Sequence, residues 1–93
     1  MTDEIAERVK LAAQALIAAG AREVYLFGSA ATGKMREDSD IDLAVAGLPD
    51  AVFFKAMGKA GEILQRPLDL VDLDDDNLLT EYLKRKGKLI RVG

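Results

Sequence analysis

The apolar residues of this chain change their spacing several times, from a helical repeat to short unbroken runs. Apolar residues every three or four positions indicate a helix buried on one face, whereas short runs of β-branched and aromatic residues indicate buried strands. The helical patterns cover residues 3–19, 50–65 and the stretch around Leu78–Leu83, and the strand-like runs are Val24–Phe27, Ile41–Val45 and Leu68–Val71. The pattern therefore predicts three helices that alternate with three strands.

This alternation predicts one domain over residues 1–93, of the α/β (α+β) class, in which helices flank a mixed sheet of three or four strands. A fourth strand at a sheet edge would come from Leu89–Val92. Residues 29–39 are polar and contain Gly33, so we expect a loop or a single helical turn there. One of the aspartates at 74–76 is expected to cap the last helix.

Composition narrows the chemistry that this domain can perform. Lysine and arginine total 13, aspartate and glutamate total 16, and the formal charge is −3. Apolar residues make up 49% of the chain, which argues against disorder. The sequence has no cysteine and no histidine, so thiolate nucleophiles, imidazole bases and zinc sites built from those residues are excluded. Catalysis would have to use carboxylates, hydroxyls, amines, guanidinium groups or the backbone.

The N-terminal segment and the longest apolar stretch bear on where the protein acts. The N-terminal segment is acidic where a signal peptide would be basic, and the stretch LAAQALIAAG is too short to cross a bilayer. We therefore expect a cytoplasmic protein without a membrane partner. The negative charge argues against nucleic acid as a partner. Assembly into a homo-oligomer or a hetero-oligomer stays open.

The segment that carries the chemistry joins the first predicted strand to the second. Gly28 and Ser29 close the first strand, and Asp40 and Asp42 follow after ten intervening residues. Residues two apart on a strand point to the same face, so the two carboxylates would repel each other unless a cation lies between them. Mg²⁺ binds one or two carboxylates and fills its other positions with water and substrate phosphates. The pattern therefore predicts a magnesium-dependent phosphate site.

A third acid, Asp69, stands among apolar neighbours in the third predicted strand. A carboxylate is costly to bury unless it is paired or bound to a metal. Together with Asp40 and Asp42 it could hold two Mg²⁺ ions about 3.5–4 Å apart, the arrangement that supports in-line phosphoryl displacement. The alternatives are solvated strand-end acids for Asp40 and Asp42, and an ion pair with lysine or arginine for Asp69.

The phosphate-binding candidates are Gly28, Ser29, Lys34 and Arg36. A glycine at a strand end lets a ligand approach the backbone, and amide groups at the start of a helical turn favour anions. Ser29 adds a hydroxyl, although an N-cap role explains it equally well. Lys34 and Arg36 could meet the same phosphate charge, but a solvated loop is the favoured interpretation of these two residues.

A family resemblance rests on the stretches LFGSAATGKMREDSDIDLAV and PLDLVDL. The chain resembles the nucleotidyltransferase superfamily related to DNA polymerase β, and within it the minimal nucleotidyltransferases that include the MntA-like antitoxins. The shared features are Gly-Ser, ten residues, Asp-x-Asp and an acid in a later strand. The sequence departs from the pattern in the Gly-Ser loop, where family members often carry arginines and this chain has Ala30, Ala31 and Thr32.

The resemblance implies a polymerase β-like fold and the magnesium-dependent transfer of AMP from ATP to a hydroxyl group. Asp40 and Asp42 would hold both metal ions, and Asp69 would complete one site and accept or orient the acceptor proton. Gly28 and Ser29 would hold the β- and γ-phosphates. The resemblance further implies an antitoxin that pairs with a HEPN-type ribonuclease toxin and adenylylates a tyrosine on it.

Two other interpretations stay open. The chain could be a catalytically weak binding module that blocks its partner sterically, which the missing loop arginines favour. Transfer to a small molecule such as an aminoglycoside would need an added acceptor domain that the sequence does not show. Two charged clusters have structural explanations: helix capping for the acids at 72–76, and a solvated helix end for Lys84–Lys86, with an RNA or acidic-partner contact as the lesser alternative.

Overall fold

A four-stranded sheet forms the middle of the molecule in the computed structural model, which describes residues 2–33 and 39–93. The strands are β1 (Glu23–Phe27), β2 (Ile41–Ala46), β3 (Leu68–Asp72) and β4 (Ile90–Arg91). The helices are α1 (Asp3–Ala18), α2 (Ser29–Thr32), α3 (Phe53–Leu64) and α4 (Leu78–Arg85), with a 3₁₀ turn at Asp50–Val52 before α3. The predicted fold class, the mixed sheet, its edge strand and the helical turn after Gly28 are confirmed.

The strand order is β3-β2-β1-β4, and β2 has one antiparallel and one parallel neighbour. It runs antiparallel to β1 and parallel to β3, while β4 adds to the outer edge of β1 in antiparallel orientation. The register places Phe27 opposite Asp42, and Asp42 beside Asp69. The pairing of β2 with both neighbours therefore brings the predicted acidic residues together at one end of the sheet.

One face of the sheet is covered by α1 and α3, and the main core lies there. Alternate residues of β1 and β2, including Leu26 and Leu43, point into this core together with Leu16 of α1 and Leu64 of α3. Arg8 on α1 donates a hydrogen bond of 3.2 Å to a main-chain carbonyl of α3 and so joins the two helices. No helix among the described residues is both long enough and apolar enough to cross a membrane.

The other face of the sheet is covered only in part, by α4 and the turn before it. Leu83 of α4 packs with Leu73 and Ala44, and these three residues form a second, smaller core. The remaining apolar residues of α4 are largely exposed, with 86% of Leu78 and 58% of Tyr82 open to solvent. The helix thus buries a single narrow row and leaves an apolar surface beside the end of β1.

The predicted cap of the last helix is wrong, and the N-cap alternative for Ser29 does not hold. The last helix is capped by Asn77 and not by an aspartate at 74–76, because the Asn77 side chain accepts a hydrogen bond of 3.0 Å from the Thr80 amide. The Thr80 hydroxyl in turn accepts a 3.1 Å bond from the Asn77 amide, which completes a capping box. The N-cap of α2 is Gly28, whereas Ser29 is the first helical residue.

Removal of the Asn77 side chain should weaken α4 measurably. We expect Asn77→Ala to lower the free energy of unfolding by about 1 kcal/mol, because an amide in the first turn loses its acceptor. Urea denaturation measures the change. Asn77→Asp keeps the acceptor and is the matched control, so equal losses in both variants would contradict the capping role.

Candidate functional site

The site is built around two carboxylates on neighbouring parallel strands. Asp42 of β2 and Asp69 of β3 are register partners. Ala44 and Val71, two residues further along each strand, pack with the smaller core, so both acids point to the face that carries α4. Asp42 is half-buried and Asp69 is exposed. The parallel pairing therefore holds two acidic groups side by side at the edge of an incompletely covered sheet face.

Burial and the neighbouring acids change the pKa of Asp42. Burial raises the pKa of Asp42 above its ordinary value, and the charge of Asp69, a side-chain hydrogen bond with Asp69 and the charge of Asp40 raise it further. Each contribution disfavours the ionised form of the carboxyl group. The pair is therefore destabilised when both groups are charged, and a cation placed between them would relieve that repulsion.

Asp40 lies immediately before β2, which begins at Ile41 as the apolar run predicted, and its side chain is exposed. Two hydrogen bonds fix the chain on either side of it. The Ile41 amide donates to the Pro67 carbonyl at 3.0 Å, and Arg66 Nη1 donates to the Ser39 carbonyl at 3.0 Å. These bonds join the start of β2 to the start of β3 and keep Asp40 close enough for its charge to act on Asp42.

Gly28 is in direct contact with the carboxylate of Asp42. Its backbone has φ +70° and ψ −147°, a region that is essentially restricted to glycine. A Cβ at this position would overlap Asp42 Oδ2 and lie 3.1 Å from Asp42 Cγ. The residue is exposed on its other side. The missing side chain is therefore what lets the turn from β1 into α2 run directly past the acidic pair.

The Gly-Ser turn continues into α2, whose two alanines are buried. Ala30 and Ala31 belong to the main core, which explains why small apolar residues occupy these positions in this chain. The Thr32 hydroxyl donates to the carbonyls of Gly28 and Ser29 at 3.3 Å and closes the turn. The other two phosphate candidates, Lys34 and Arg36, lie outside the described residues.

The donor set of this site suits a hard divalent cation. Carboxylate oxygens are the ligands that Mg²⁺ prefers, and one or two of them suffice when water and phosphate fill the other positions. Asp42 and Asp69 supply such a pair, and Asp40 adds a third negative charge nearby. Within residues 2–33 and 39–93, no three acidic side chains are arranged closely enough to form a metal-binding group by themselves.

Sequence analysis missed a cleft on the same face of the sheet, between the end of β1 and α4. This α4 cleft has a volume of about 420 Å³, and its lining includes Phe27, Gly28, Tyr82, Lys86 and Lys88. The sequence pattern places Tyr82 in the apolar helical stretch around Leu78–Leu83 and Lys86 at a solvated helix end. The sequence did contain a signal, since a short helix with adjacent apolar residues cannot bury all of them against one face of a small sheet.

Comparisons with known proteins agree with this geometry. A family model described as Polymerase beta, Nucleotidyltransferase matches residues 16–91. Among solved structures, a toxin–antitoxin complex with AMP-PNP superposes with a TM-score of 0.72 at 24% identity, over 92% of this chain and 72% of that chain. At this level of identity the likeness is one of fold.

Two further structures are similar in sequence as well as in fold. A protein described as a candidate minimal nucleotidyltransferase superposes with a TM-score of 0.70 at 28% identity, over 87% of both chains. An MntA toxin–antitoxin complex that carries two aspartate-to-glutamate substitutions gives a TM-score of 0.64 at 26% identity, over 82% of this chain and 66% of that chain. No curated protein matches the sequence.

A Cβ at position 28 should destabilise the protein, in part because it would overlap the Asp42 carboxylate. We expect Gly28→Ala to lower the free energy of unfolding by about 1–3 kcal/mol through its backbone alone, with a further loss from the overlap with the carboxylate. Gly33→Ala is the control for a positive φ without an overlap, since Gly33 is in the left-handed region (φ +75°, ψ 10°) and, among the described residues, no atom outside its chain neighbours lies within 4 Å of the added carbon.

A double-mutant cycle separates the two parts of the Gly28→Ala effect. In an Asp42→Ala background the overlap is absent, so Gly28→Ala should lower the free energy of unfolding by a smaller amount than in the wild type. Chemical denaturation of the four proteins measures this coupling. Identical losses of stability in the two backgrounds would show that a Cβ at position 28 does not overlap the Asp42 carboxylate.

Neutralising Asp42 should stabilise the metal-free protein near neutral pH. The folded state raises the pKa of Asp42, so it binds the proton more tightly than the unfolded chain, and stability falls as the pH rises through the folded pKa. Asp42→Asn removes the charge and should raise the free energy of unfolding at about pH 7 but hardly at about pH 3, below both pKa values. Denaturation at both pH values, with the exposed Asp76→Asn as control, measures the difference. A gain that increased at acid pH would contradict this account.

Proposed function

The chain belongs to the polymerase β nucleotidyltransferase family, and on that premise we propose that it transfers AMP from ATP, with Mg²⁺, to a hydroxyl group of a partner protein. The observation that carries the proposal is the side-by-side placement of Asp42 and Asp69, with Gly28 against Asp42. This arrangement puts a negatively charged pair beside a turn that a phosphate chain can approach closely. The reaction would take place in the cytoplasm, where ATP is available.

We assign each of the three acidic residues a role in the reaction. Asp40 and Asp42 would hold two Mg²⁺ ions, and Asp69 would complete one of these sites. Bound Mg²⁺ would neutralise phosphate charge and polarise the α-phosphate. The chain has no histidine to serve as the base, and we assign the exposed Asp69 to accept or orient the acceptor proton.

The bonding changes follow from nucleotidyl transfer itself. The acceptor oxygen attacks the α-phosphorus, the bond from that phosphorus to the bridging oxygen of the β-phosphate breaks, and pyrophosphate leaves. The proton of the acceptor hydroxyl passes to Asp69. Gly28 and Ser29 would hold the β- and γ-phosphates at the start of α2, with Lys34 and Arg36 as further phosphate contacts.

The partner is proposed from the relatives. The two toxin–antitoxin complexes described above support a toxin as the partner protein. The HEPN type of that toxin and a tyrosine as the modified residue are what the family resemblance implies. One of these complexes contains AMP-PNP, which supports ATP as the donor. The other carries substitutions at two aspartates that are two positions apart, the spacing of Asp40 and Asp42 here. The chain would then act as the antitoxin of the pair.

A second candidate function is steric neutralisation of the same partner without catalysis. Two observations favour it: the Gly-Ser turn carries buried alanines where the family often has arginines, and α4 leaves Leu78, Leu79 and Tyr82 exposed. Exposed apolar surface of this kind is common at protein interfaces. Under this hypothesis the acidic pair would be a remnant of an ancestral active site.

The transfer reaction can be tested directly. The protein is incubated with Mg²⁺, ATP labelled at the α-phosphate and a HEPN-type toxin encoded beside it, and label on the toxin is measured. We expect Asp42→Asn to lower the transfer rate by about 100-fold or more, because the site loses one of its two paired carboxylates. Asp76→Asn, at an exposed aspartate outside the site, should stay within about twofold of the wild type.

The two candidate functions give opposite results in the same assay. Transfer that persists in Asp42→Asn would contradict catalysis at this site. Full inhibition of the toxin by Asp40→Asn, in the absence of any label transfer, would support steric blocking instead.

A further inference from the structure

The α4 cleft adjoins the acidic pair and, apart from Gly28, contributes no residue to the transfer reaction proposed above. It lies on the sheet face to which Asp42 and Asp69 point, because Phe27, which lines it, is the register partner of Asp42. Gly28 belongs to both features, since it lines the cleft and contacts the Asp42 carboxylate. A ligand in the cleft would therefore reach the acidic pair across a single residue.

The lining of the cleft combines apolar, aromatic and basic groups. Its apolar wall is formed by Phe27 and by Leu79, and Tyr82 presents a ring that is 58% exposed. Lys86 and Lys88 supply two positive charges, and none of the described residues that line the cleft is acidic. This is unusual in a chain with 16 acidic and 13 basic residues, and it suits a ligand with a flat apolar part and a negatively charged part.

The other clefts described in the structure lack this combination. A cleft of about 270 Å³ on the same side of the molecule is lined in part by Glu23 and Asp74, whose charges would repel an anion. A cleft of about 250 Å³ lies between α1 and α3, on the opposite face of the sheet from the acidic pair. The α4 cleft therefore combines a suitable chemical character with a short path to Asp42.

We propose that the α4 cleft binds the nucleoside half of the nucleotide, with the base stacked on the ring of Tyr82. The inference rests on the proposed function, because the nucleoside belongs to the same substrate whose α-phosphate lies at the acidic pair. The ribose joins the base directly to the α-phosphate, so the base must lie within one sugar of Asp42, and the cleft satisfies that constraint. Stacking on an aromatic ring is tolerant of base identity, which predicts weak discrimination between ATP and GTP.

The two lysines complete the site. Lys86 and Lys88 flank Gly87, which packs so tightly on Leu83 that an added Cβ would lie 2.7 Å from the Leu83 Cα. The chain after α4 is thus packed closely against the last turn of the helix, and both lysines line the cleft there. Their charge compensates for the absence of arginines at Ala30 and Ala31, and we assign them to the phosphate chain.

The test is a binding measurement on the whole chain with Mg²⁺ and AMP-PNP. Isothermal titration calorimetry should show that Tyr82→Ala raises the Kd by about 5- to 10-fold, the lower end of the range for a base on an aromatic ring, since Tyr82 is half-exposed. Tyr82→Phe keeps the ring and should stay within about twofold. Binding of inorganic tripolyphosphate with Mg²⁺, which has no base, should be unaffected by Tyr82→Ala.

Matched control substitutions show whether a change in the Kd for AMP-PNP is specific to residues of the α4 cleft. Phe54→Ala removes an aromatic side chain that is 76% exposed on α3, across the sheet, and should leave the Kd for AMP-PNP unchanged. Lys86→Ala should weaken binding, whereas Lys84→Ala should not, because Lys84 lines the separate cleft that contains Glu23 and Asp74.

Nuclear magnetic resonance on the wild-type chain keeps the proposal testable if Tyr82→Ala fails to fold. We expect AMP-PNP with Mg²⁺ to shift the signals of Tyr82, Leu79 and Lys86 together with those of Gly28 and Asp42. Shifts at Gly28 and Asp42 without any at Tyr82 would overturn this inference alone and leave the cleft to the acceptor protein. The absence of any shift with the nucleotide would overturn the proposed function as well.

Discussion

The parallel pairing of β2 with β3 is the constraint on which the site depends. It sets Asp42 beside Asp69 with no intervening residue, although the two are far apart in sequence. Like charges at neighbouring sheet positions destabilise the fold, so the main core under α1 and α3 must supply the stability that this pair removes. Burial and repulsion from Asp69 also raise the pKa of Asp42 when no cation is bound.

One face of the sheet carries the main core, and the other face carries the acidic pair. The face under α1 and α3 is covered by two helices and contains the largest buried side chains, among them Leu16 and Leu43. The opposite face has only α4 above it, and this helix buries little more than Leu83 and Thr80. An open face is what a substrate requires, because the carboxylates can act only where a phosphate can reach them. The incomplete cover is therefore consistent with a site on this side of the molecule.

The sequence predicted the strands, and it singled out Asp42 and Asp69, because both predictions depend on local patterns. Runs of apolar residues marked β1, β2 and β3, whereas the side-by-side placement of Asp42 and Asp69 comes from the parallel pairing of β2 with β3, which the sequence did not predict. Asp40 lies just before β2, as predicted, and hydrogen bonds at Ile41 and Ser39 connect this part of the chain to the start of β3. The α4 cleft could not be predicted, since it depends on which side of a short helix is turned toward the end of β1, and that orientation is a tertiary property.

Gly28 is the position at which these constraints meet. Its backbone conformation is restricted to glycine, and its missing side chain makes room for the Asp42 carboxylate on one side while the other side lines the α4 cleft. Any larger residue would have to displace the acid, narrow the cleft or both. A motif of Gly-Ser followed by Asp-x-Asp can therefore be understood as a steric requirement, in which the glycine exists because the carboxylate occupies the space of its side chain. The spacing matters because the chain must leave β1 at Gly28 and return as the partner of Phe27, which is Asp42.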